Sequence, residues 1–176
     1  MSAGRHWANV AGLTILALGA CAPPPGQGGT PGRMEPSGRR FVNPGTLAAL
    51  DGFTHAVRLG FVTYVSGEVP LDSTGKLVGP GDLAAQAKQA FANLALVLRI
   101  AGNEPSDIAK LTVYVVNYHP QDLAVIRQAA PDFFPEHNPP TGIVIGVAAL
   151  PRDGMLIAVD AIAQAPSLFR PLAERR

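Results

Sequence analysis

The chain has 176 residues, of which 47% are hydrophobic and 15% charged, and its formal net charge is +1. This composition is typical of one packed domain with attached segments, and it excludes a chain that is disordered throughout. The basic residues are scattered, which argues against nucleic-acid binding. One cysteine cannot form an intramolecular disulfide, and no Cys/His cluster has metal-ligand spacing. The four histidines are well separated, which favours surface or locally bonded imidazoles over metal ligands.

The first 21 residues have the pattern of an export signal. Arg5 and His6 precede an apolar run, Val10–Leu18, that is too short to span a membrane as a helix. The run ends in Leu-Gly-Ala-Cys, which resembles the lipobox of bacterial lipoproteins. We therefore expect lipidation of Cys21, with the acyl chains holding an exported protein on the periplasmic or cell-surface side of a membrane. The alternatives are a secretory signal that is cleaved near Ala20 and an uncleaved N-terminal anchor.

Residues 22–40 separate this signal from the domain. They are rich in proline and glycine and show no apolar periodicity, so we interpret them as a flexible tether. The predicted domain covers residues 41–166, and residues 167–176 are interpreted as a solvated tail. Contact with a membrane is therefore expected only through the N-terminal lipid anchor.

The first half of the domain has the pattern of a strand pair followed by a long helix. The sequence allows a short strand at Phe41–Asn43, before two strand-like runs, Phe53–Arg58 and Phe61–Ser66, that a Leu-Gly dipeptide joins as a hairpin. Asp82 can cap the following helix, in which leucine, alanine and phenylalanine recur at three- and four-residue steps. Gly102 is a typical helix stop.

The second half continues with a strand, a helix and two further strands. Ile108–Val116 is rich in β-forming residues, and a second helix is predicted from Gln121 to Ala130, ended by Pro131. Two long apolar strands, Ile143–Leu150 and Met155–Ala163, are predicted to form a closing hairpin around a Pro-Arg-Asp-Gly turn. Neither strand alternates between apolar and polar residues, so we expect cover on both faces.

The order β-β-α-β-α-β-β predicts an α+β fold with both helices on one face of the sheet. The other face would present isoleucine, valine and alanine side chains to water, so we expect a closed homo-oligomer. Asp160 is the only charged residue between Met155 and Ala163. Because a charge in such a strand needs a partner, Asp160 is either a structural hydrogen-bond acceptor or a pocket residue.

Several spaced motifs of the domain occur in an order that is typical of one known family. They are Val-Ser-Gly-Glu-Val-Pro at 65–70, Gly-Pro-Gly-Asp at 79–82, Lys-Leu-Thr-Val-Tyr-Val at 110–115 and Ala-Leu-Pro-Arg at 149–152. Together they resemble the RidA family, also called YjgF or UK114, over residues 46–163. The resemblance implies a chorismate-mutase-like fold, a homotrimer with clefts between subunits, and hydrolysis of small enamines and imines to 2-oxo acids and ammonia without a metal or organic cofactor.

The resemblance also implies the positions of the site residues. The family binds the substrate carboxylate with an arginine in a Pro-Ala-Arg motif, by paired charged hydrogen bonds. The aligned tripeptide here is Pro-Thr-Gly, so Gly142 stands in place of that arginine. Asp160 aligns with the acidic residue that positions the attacking water, and Arg127 is either a relocated positive charge or a solvated helical arginine. The implied substrate-binding residues are Phe53, where the family often has an aromatic hydroxyl, Ser66, Arg127, Gly142 and Val144.

Three functions are compatible with these residues. The first is a RidA-type protein without typical deaminase activity, whose inter-subunit pocket binds a small metabolite or serves an unrelated hydrolysis. This first function is suggested by Gly142, which cannot make the charged bidentate contact of the family arginine. Loss of that contact should cost on the order of a hundredfold in rate. The second is a deaminase of altered selectivity that uses Arg127 and Asp160. The third is a membrane-tethered structural or interaction module. We favour the first, because an exported protein would rarely meet imines made in the cytoplasm.

Overall fold

The structure is a computed structural model that describes residues 38–164. The predicted signal, the lipidation site Cys21 and most of the tether lie outside these residues, as does the predicted C-terminal tail. Among the described residues, no helix is both long enough and apolar enough to cross a membrane.

Six strands and two α-helices follow one another in the described chain. They are β1 (Arg39–Val42), β2 (Ala56–Leu59), β3 (Val62–Glu68), α1 (Leu83–Ala101), β4 (Ile108–Val116), α2 (Asp122–Ala129), β5 (Thr141–Val147) and β6 (Ile157–Gln164). The predicted order of strands and helices is confirmed, including the short first strand.

The first helix begins and ends at the residues that the sequence predicts. The Asp82 side chain accepts a hydrogen bond from an amide of the first turn at 3.0 Å. Gly102 ends α1 with a φ of 87°, a conformation that glycine adopts without steric cost. Arg40 and Arg58 donate to the carbonyls of the last two residues of α1, at 2.6 and 2.7 Å. Two cations thus complement the negative end of the helix dipole and bond α1 to β1 and β2.

The strand order corrects one expectation. The sheet runs β1-β2-β3-β6-β4-β5, with β6 antiparallel to both β3 and β4 and β5 parallel to β4. The predicted closing hairpin of β5 and β6 is therefore wrong, because β4 lies between them. β6 occupies a central position and is largely buried, whereas β5 forms the edge and is largely exposed. The prediction of cover on both faces is thus wrong for β5 within this chain, and in β6 it holds only in part, since Asp160 and Ile162 are half-buried.

The core lies between α1 and one face of the sheet. Phe91, Leu94 and Leu98 of α1 pack in one cluster with Val113 of β4 and Val159 of β6, all of them buried. The second helix joins the same cluster through a buried isoleucine, so both helices cover the same face. Burial of these apolar surfaces is the main favourable contribution to folding.

The opposite face of the sheet carries large apolar side chains that remain in contact with water. Phe41, Tyr64 and Ile143 are 49%, 47% and 58% exposed. The strand register aligns Phe41 with Val57 and Val57 with Tyr64, so the first two share a face that the helices do not cover. These side chains motivate the expected homo-oligomer, which stays a prediction.

One buried amide side chain fixes the turn that leads into β6. Gln86 is fully buried, and its Nε2 donates to the carbonyl oxygens of Gly79 at 3.1 Å and Gly154 at 2.8 Å. Its Oε1 accepts from the backbone nitrogen of Leu156 at 2.7 Å. The side chain therefore satisfies three backbone groups next to the strand that carries Asp160.

We expect Gln86→Leu to destabilise the domain by about 2–4 kcal/mol, because it keeps the volume but leaves these buried backbone groups without partners. Gln128→Leu, at an exposed position of α2, should change stability by less than about 0.5 kcal/mol. Urea unfolding of both variants measures the difference. Equal stabilities of the two variants would contradict the role assigned to Gln86.

Candidate functional site

A cleft of about 410 Å³ lies between the β4–β5 edge of the sheet, α2 and the segment before β5. Its volume is in the range of small-molecule sites. Most of the lining side chains are apolar, and the charged ones are Arg127 and Glu136. The structure therefore brings three of the predicted substrate-binding residues to one place. These are Arg127, Gly142 and Val144.

The two charged residues of the cleft are exposed. Arg127 lies in the last turn of α2, directly after the fully buried Ile126, which anchors the helix in the core. Within residues 38–164, neither Arg127 nor Glu136 takes part in an ion pair or a side-chain hydrogen bond. Both charges are therefore available to a ligand. Glu136 was not predicted from the sequence, because nothing in its neighbourhood distinguishes it from a solvated loop carboxylate.

The backbone leaves no room for a side chain at Gly142. A Cβ added there would lie 2.6 Å from the carbonyl oxygen of Leu111 in the neighbouring strand β4. At Gly146, on the same strand, an added Cβ would lie 3.3 Å from the Cβ of Tyr118, a much milder contact than the one at Gly142. Glycine at 142 is thus required by close approach of the backbone to β4.

We expect Gly142→Ala to destabilise the domain by about 1–3 kcal/mol, because a strand must shift to relieve the contact. Gly146→Ala is the matched control and should cost less, since its Cβ would lie 3.3 Å from the nearest atom and not 2.6 Å. The free energy of unfolding of the two variants, measured in urea, gives the comparison. A larger loss for Gly146→Ala would contradict the packing described for Gly142.

Two other predicted residues lie in a different part of the chain. Phe53 is 69% exposed and Ser66 is half-buried, and both line a small pocket at the β2–β3 end of the sheet. The backbone nitrogen of Ser66 donates to the carbonyl oxygen of His55 at 2.8 Å. β6 separates β3 from β4 in the sheet. A single chain therefore does not bring Phe53 and Ser66 to the cleft of Arg127.

A buried imidazole–carboxylate pair lines the same small pocket. His55 Nδ1 lies 2.9 Å and 3.1 Å from the two carboxylate oxygens of Glu68, and the residues are 7% and 3% exposed. The interpretation of His55 as a locally bonded imidazole is confirmed, but its partner was not predicted. Glu68 follows an irregularity between Val65 and Glu68 in the pairing with β6, which sequence patterns do not reveal.

Asp160 lies in a third position, on the central strand β6. The hydroxyl of Tyr114 donates to Asp160 Oδ2 at 2.8 Å. This bond, and secondly partial burial, raise the pKa of Tyr114 above its ordinary value of 10.0. Asp160 therefore has the structural partner that the sequence required. It lines neither the cleft of Arg127 nor the pocket of Ser66.

We expect part of the stability to be lost at alkaline pH through Tyr114. The pKa of Tyr114 is higher in the folded chain than in the unfolded chain. The stabilisation by its hydroxyl is therefore complete below the unfolded pKa, near 10.0, and is lost as the pH rises through the folded pKa. The unfolding free energies of the wild type and Tyr114→Phe should therefore converge as the pH rises above about 10 and through the raised pKa of the folded chain. Tyr64→Phe, which removes a hydroxyl that is not bonded to Asp160, is the control. Parallel curves for Tyr114→Phe would contradict the assignment.

Comparison with known proteins defines the class to which this fold and cleft belong. The family model described as endoribonuclease L-PSP matches residues 44–165. The 2-iminobutanoate/2-iminopropanoate deaminase of Escherichia coli K12 is 36% identical over 119 residues, which are 66% of this chain and 89% of that protein.

Solved structures agree with this match. A Rid-family protein of unknown function from Yersinia pestis, YyfB, is 39% identical with a TM-score of 0.55, over 72% of this chain and 98% of that one. Escherichia coli TdcF, solved with bound serine, is 27% identical with a TM-score of 0.62, over 72% and 99%. The fold is that of the Rid proteins. The chain belongs to the RidA family, whose matching model carries the endoribonuclease L-PSP description.

The predicted family and α+β fold are thus confirmed. The roles assigned from the resemblance stay predictions, namely catalysis by Asp160 and substrate binding by Phe53, Ser66, Arg127, Gly142 and Val144. The geometry adds that these six residues lie in three separate parts of one chain.

Proposed function

We propose that this RidA-family protein binds a small amino-acid-derived metabolite in the cleft lined by Arg127, Glu136 and Gly142. The observation that carries the proposal is the exposed guanidinium of Arg127 in the same cleft as Gly142. A guanidinium binds a carboxylate by paired charged hydrogen bonds, and a nearby carboxylate favours an ammonium or iminium group. One cation and one anion in a cleft of about 410 Å³ are therefore complementary to an amino acid or to its imine.

The proposal includes loss of the typical deaminase arrangement. The family resemblance assigns position 142 to the carboxylate-binding arginine, and the contact with Leu111 supports a backbone that has adapted to glycine. A substrate carboxylate that is bound by Arg127 of α2, and not by a residue at position 142 of β5, places the reacting carbon at a different position relative to Asp160. Since rate depends on such positioning, we do not expect the family's usual turnover.

The proposal also includes a homotrimer. Phe53 and Ser66 are separated from the cleft by the width of the sheet, so they can join it only from another copy. The exposed Ile143 and Ile145 on the edge strand beside the cleft support a contact there. Analytical ultracentrifugation at micromolar concentration tests this, and a stable monomer would contradict it.

For the location, we propose an exported lipoprotein that is anchored through Cys21. The support is the sequence pattern alone, an apolar run that ends in Leu-Gly-Ala-Cys. Labelled fatty acid should enter the wild-type protein and not Cys21→Ser. Incorporation that persists in the variant would exclude lipidation at this residue.

We expect L-serine to raise the melting temperature of the wild type, because a ligand that binds only the folded state stabilises it by mass action. At a hundredfold excess over Kd the stabilisation is about 2.7 kcal/mol. Arg127→Gln should abolish the shift, whereas Lys88→Gln, which removes an exposed charge from α1, should keep it. Ethanolamine, which lacks the carboxylate, should produce no shift. An unchanged serine shift in Arg127→Gln would contradict the proposed anchor.

A deaminase of altered selectivity is the second candidate, favoured by the 36% identity to the Escherichia coli deaminase and by the cation in the cleft. Ammonia release from 2-iminopropanoate, generated in situ, separates the two. We expect a rate about a hundredfold or more below that of the Escherichia coli enzyme, because a carboxylate bound by Arg127 displaces the reacting carbon. A comparable rate that Asp160→Asn abolishes would establish the second candidate instead.

The third candidate is a membrane-tethered module without a small ligand. It would be favoured if no amino acid, imine precursor or 2-oxo acid shifted the melting temperature. RNA cleavage, which the description of the family model names, has little support in this chain. Its basic residues are scattered, and Arg40 and Arg58 are engaged by the carbonyls of α1.

A further inference from the structure

The pair formed by His55 and Glu68 has no part in the binding proposed above, and one of its atoms lacks a partner. His55 Nδ1 contacts both oxygens of Glu68, at 2.9 and 3.1 Å. The other ring nitrogen, Nε2, is buried and has no hydrogen-bond partner among residues 38–164. Buried polar atoms are nearly always paired with protein or with ordered water, so this nitrogen, on a residue that is 7% exposed, needs a partner from outside the described residues.

The chemistry of the pair follows from which nitrogen faces the carboxylate. An ionised carboxylate only accepts hydrogen bonds, so a ring that faces it carries its hydrogen on Nδ1, and the neutral form of such a ring presents a lone pair on Nε2. The same carboxylate stabilises the imidazolium that forms when Nε2 takes up a proton. This is the arrangement of a general base that is oriented by a second residue.

The position of the pair connects it with two predicted site residues. The backbone of Ser66 is hydrogen-bonded to that of His55, and Phe53, two residues earlier in the chain, is 69% exposed at the same pocket. The pocket that these residues line has a cavity of about 10 Å³, enough for about one water molecule. A substrate at Phe53 and Ser66 can therefore meet His55 through one water.

We propose that His55 is a general base that acts through one water molecule on a small imine, and that Glu68 is its positioning residue. The inference rests on the proposed function, in which Phe53 and Ser66 of one copy complete the cleft of another. Nε2 removes a proton from the water while the water oxygen bonds to the imine carbon, and the C=N electron pair moves to nitrogen, which is protonated by solvent. The carbinolamine then loses its hydroxyl proton to solvent as the C–N bond breaks. His55 returns its proton to the leaving ammonia, so that imine and water give carbonyl compound and ammonia.

Kinetics of three variants test this step with 2-iminopropanoate as the probe. His55→Gln should lower kcat for the residual ammonia release about a hundredfold and leave KM unchanged, because a general base contributes at least that much to the rate and nothing to binding. Glu68→Gln still accepts the Nδ1 hydrogen bond but lacks the charge, and should lower kcat about tenfold or more. His119→Gln is the control, since His119 has a carboxylate at 3.9 Å and a side chain that is 66% exposed.

Nitrogen-15 NMR of the histidine rings provides a readout that does not depend on turnover. The proposal expects an unprotonated Nε2 and a protonated Nδ1 for His55 at neutral pH. A protonated Nε2 would overturn it, as would kcat in His55→Gln equal to that of the wild type. Wild-type protein that shows a serine shift but no ammonia release above buffer would overturn the general base and leave the binding proposal standing. If L-serine did not raise the melting temperature of the wild type, that result would instead contradict the binding proposal.

Discussion

The edge strand β5 comes so close to β4 at Gly142 that an added Cβ would lie 2.6 Å from the carbonyl oxygen of Leu111. The cleft depends on this approach, because Gly142 and Val144 of β5 line it together with Leu111 and Val113 of β4. A strand position is the most rigid place from which to hold a ligand, since its direction is fixed by the ladder of hydrogen bonds. With glycine there, the rigid strand can supply shape to the cleft but no charge.

The positive charge of the cleft comes from a helix end instead. Arg127 lies in the last turn of α2, where a cation is also favoured by the helix dipole. A long exposed side chain loses more conformational entropy on binding than a packed one, and its charge is partly screened by water. An anchor of this kind accepts ligands of differing shape, but holds the reacting atoms less firmly. This combination suits recognition of a small acid better than rapid turnover.

Sequence patterns were sufficient where local chemistry decides the structure. Asp82 and Gly102 mark the ends of α1 because capping depends on a few neighbouring groups. The pairing of β5 was missed because apolar periodicity identifies a strand but not its neighbour. β6 lies inside the sheet between β3 and β4 and is largely buried, and β5 lies at the edge beside β4. The partner of His55 was missed for a related reason, since Glu68 is placed by an irregularity in the strand pairing.

Asp160 and His55 are the two candidates for acting on the attacking water, and they differ in the hydrogen bonds that each already makes. Asp160 accepts a hydrogen bond from Tyr114 at 2.8 Å, so one of its oxygens is engaged by the fold. His55 has the Glu68 carboxylate on one nitrogen and no partner within residues 38–164 on the other, and it lines the same pocket as Ser66. The first arrangement suits a residue that orients its surroundings, and the second suits one that takes up a proton. For the proposed site between two copies, this difference supports the division in which the cleft of Arg127 anchors the ligand and His55 transfers the proton.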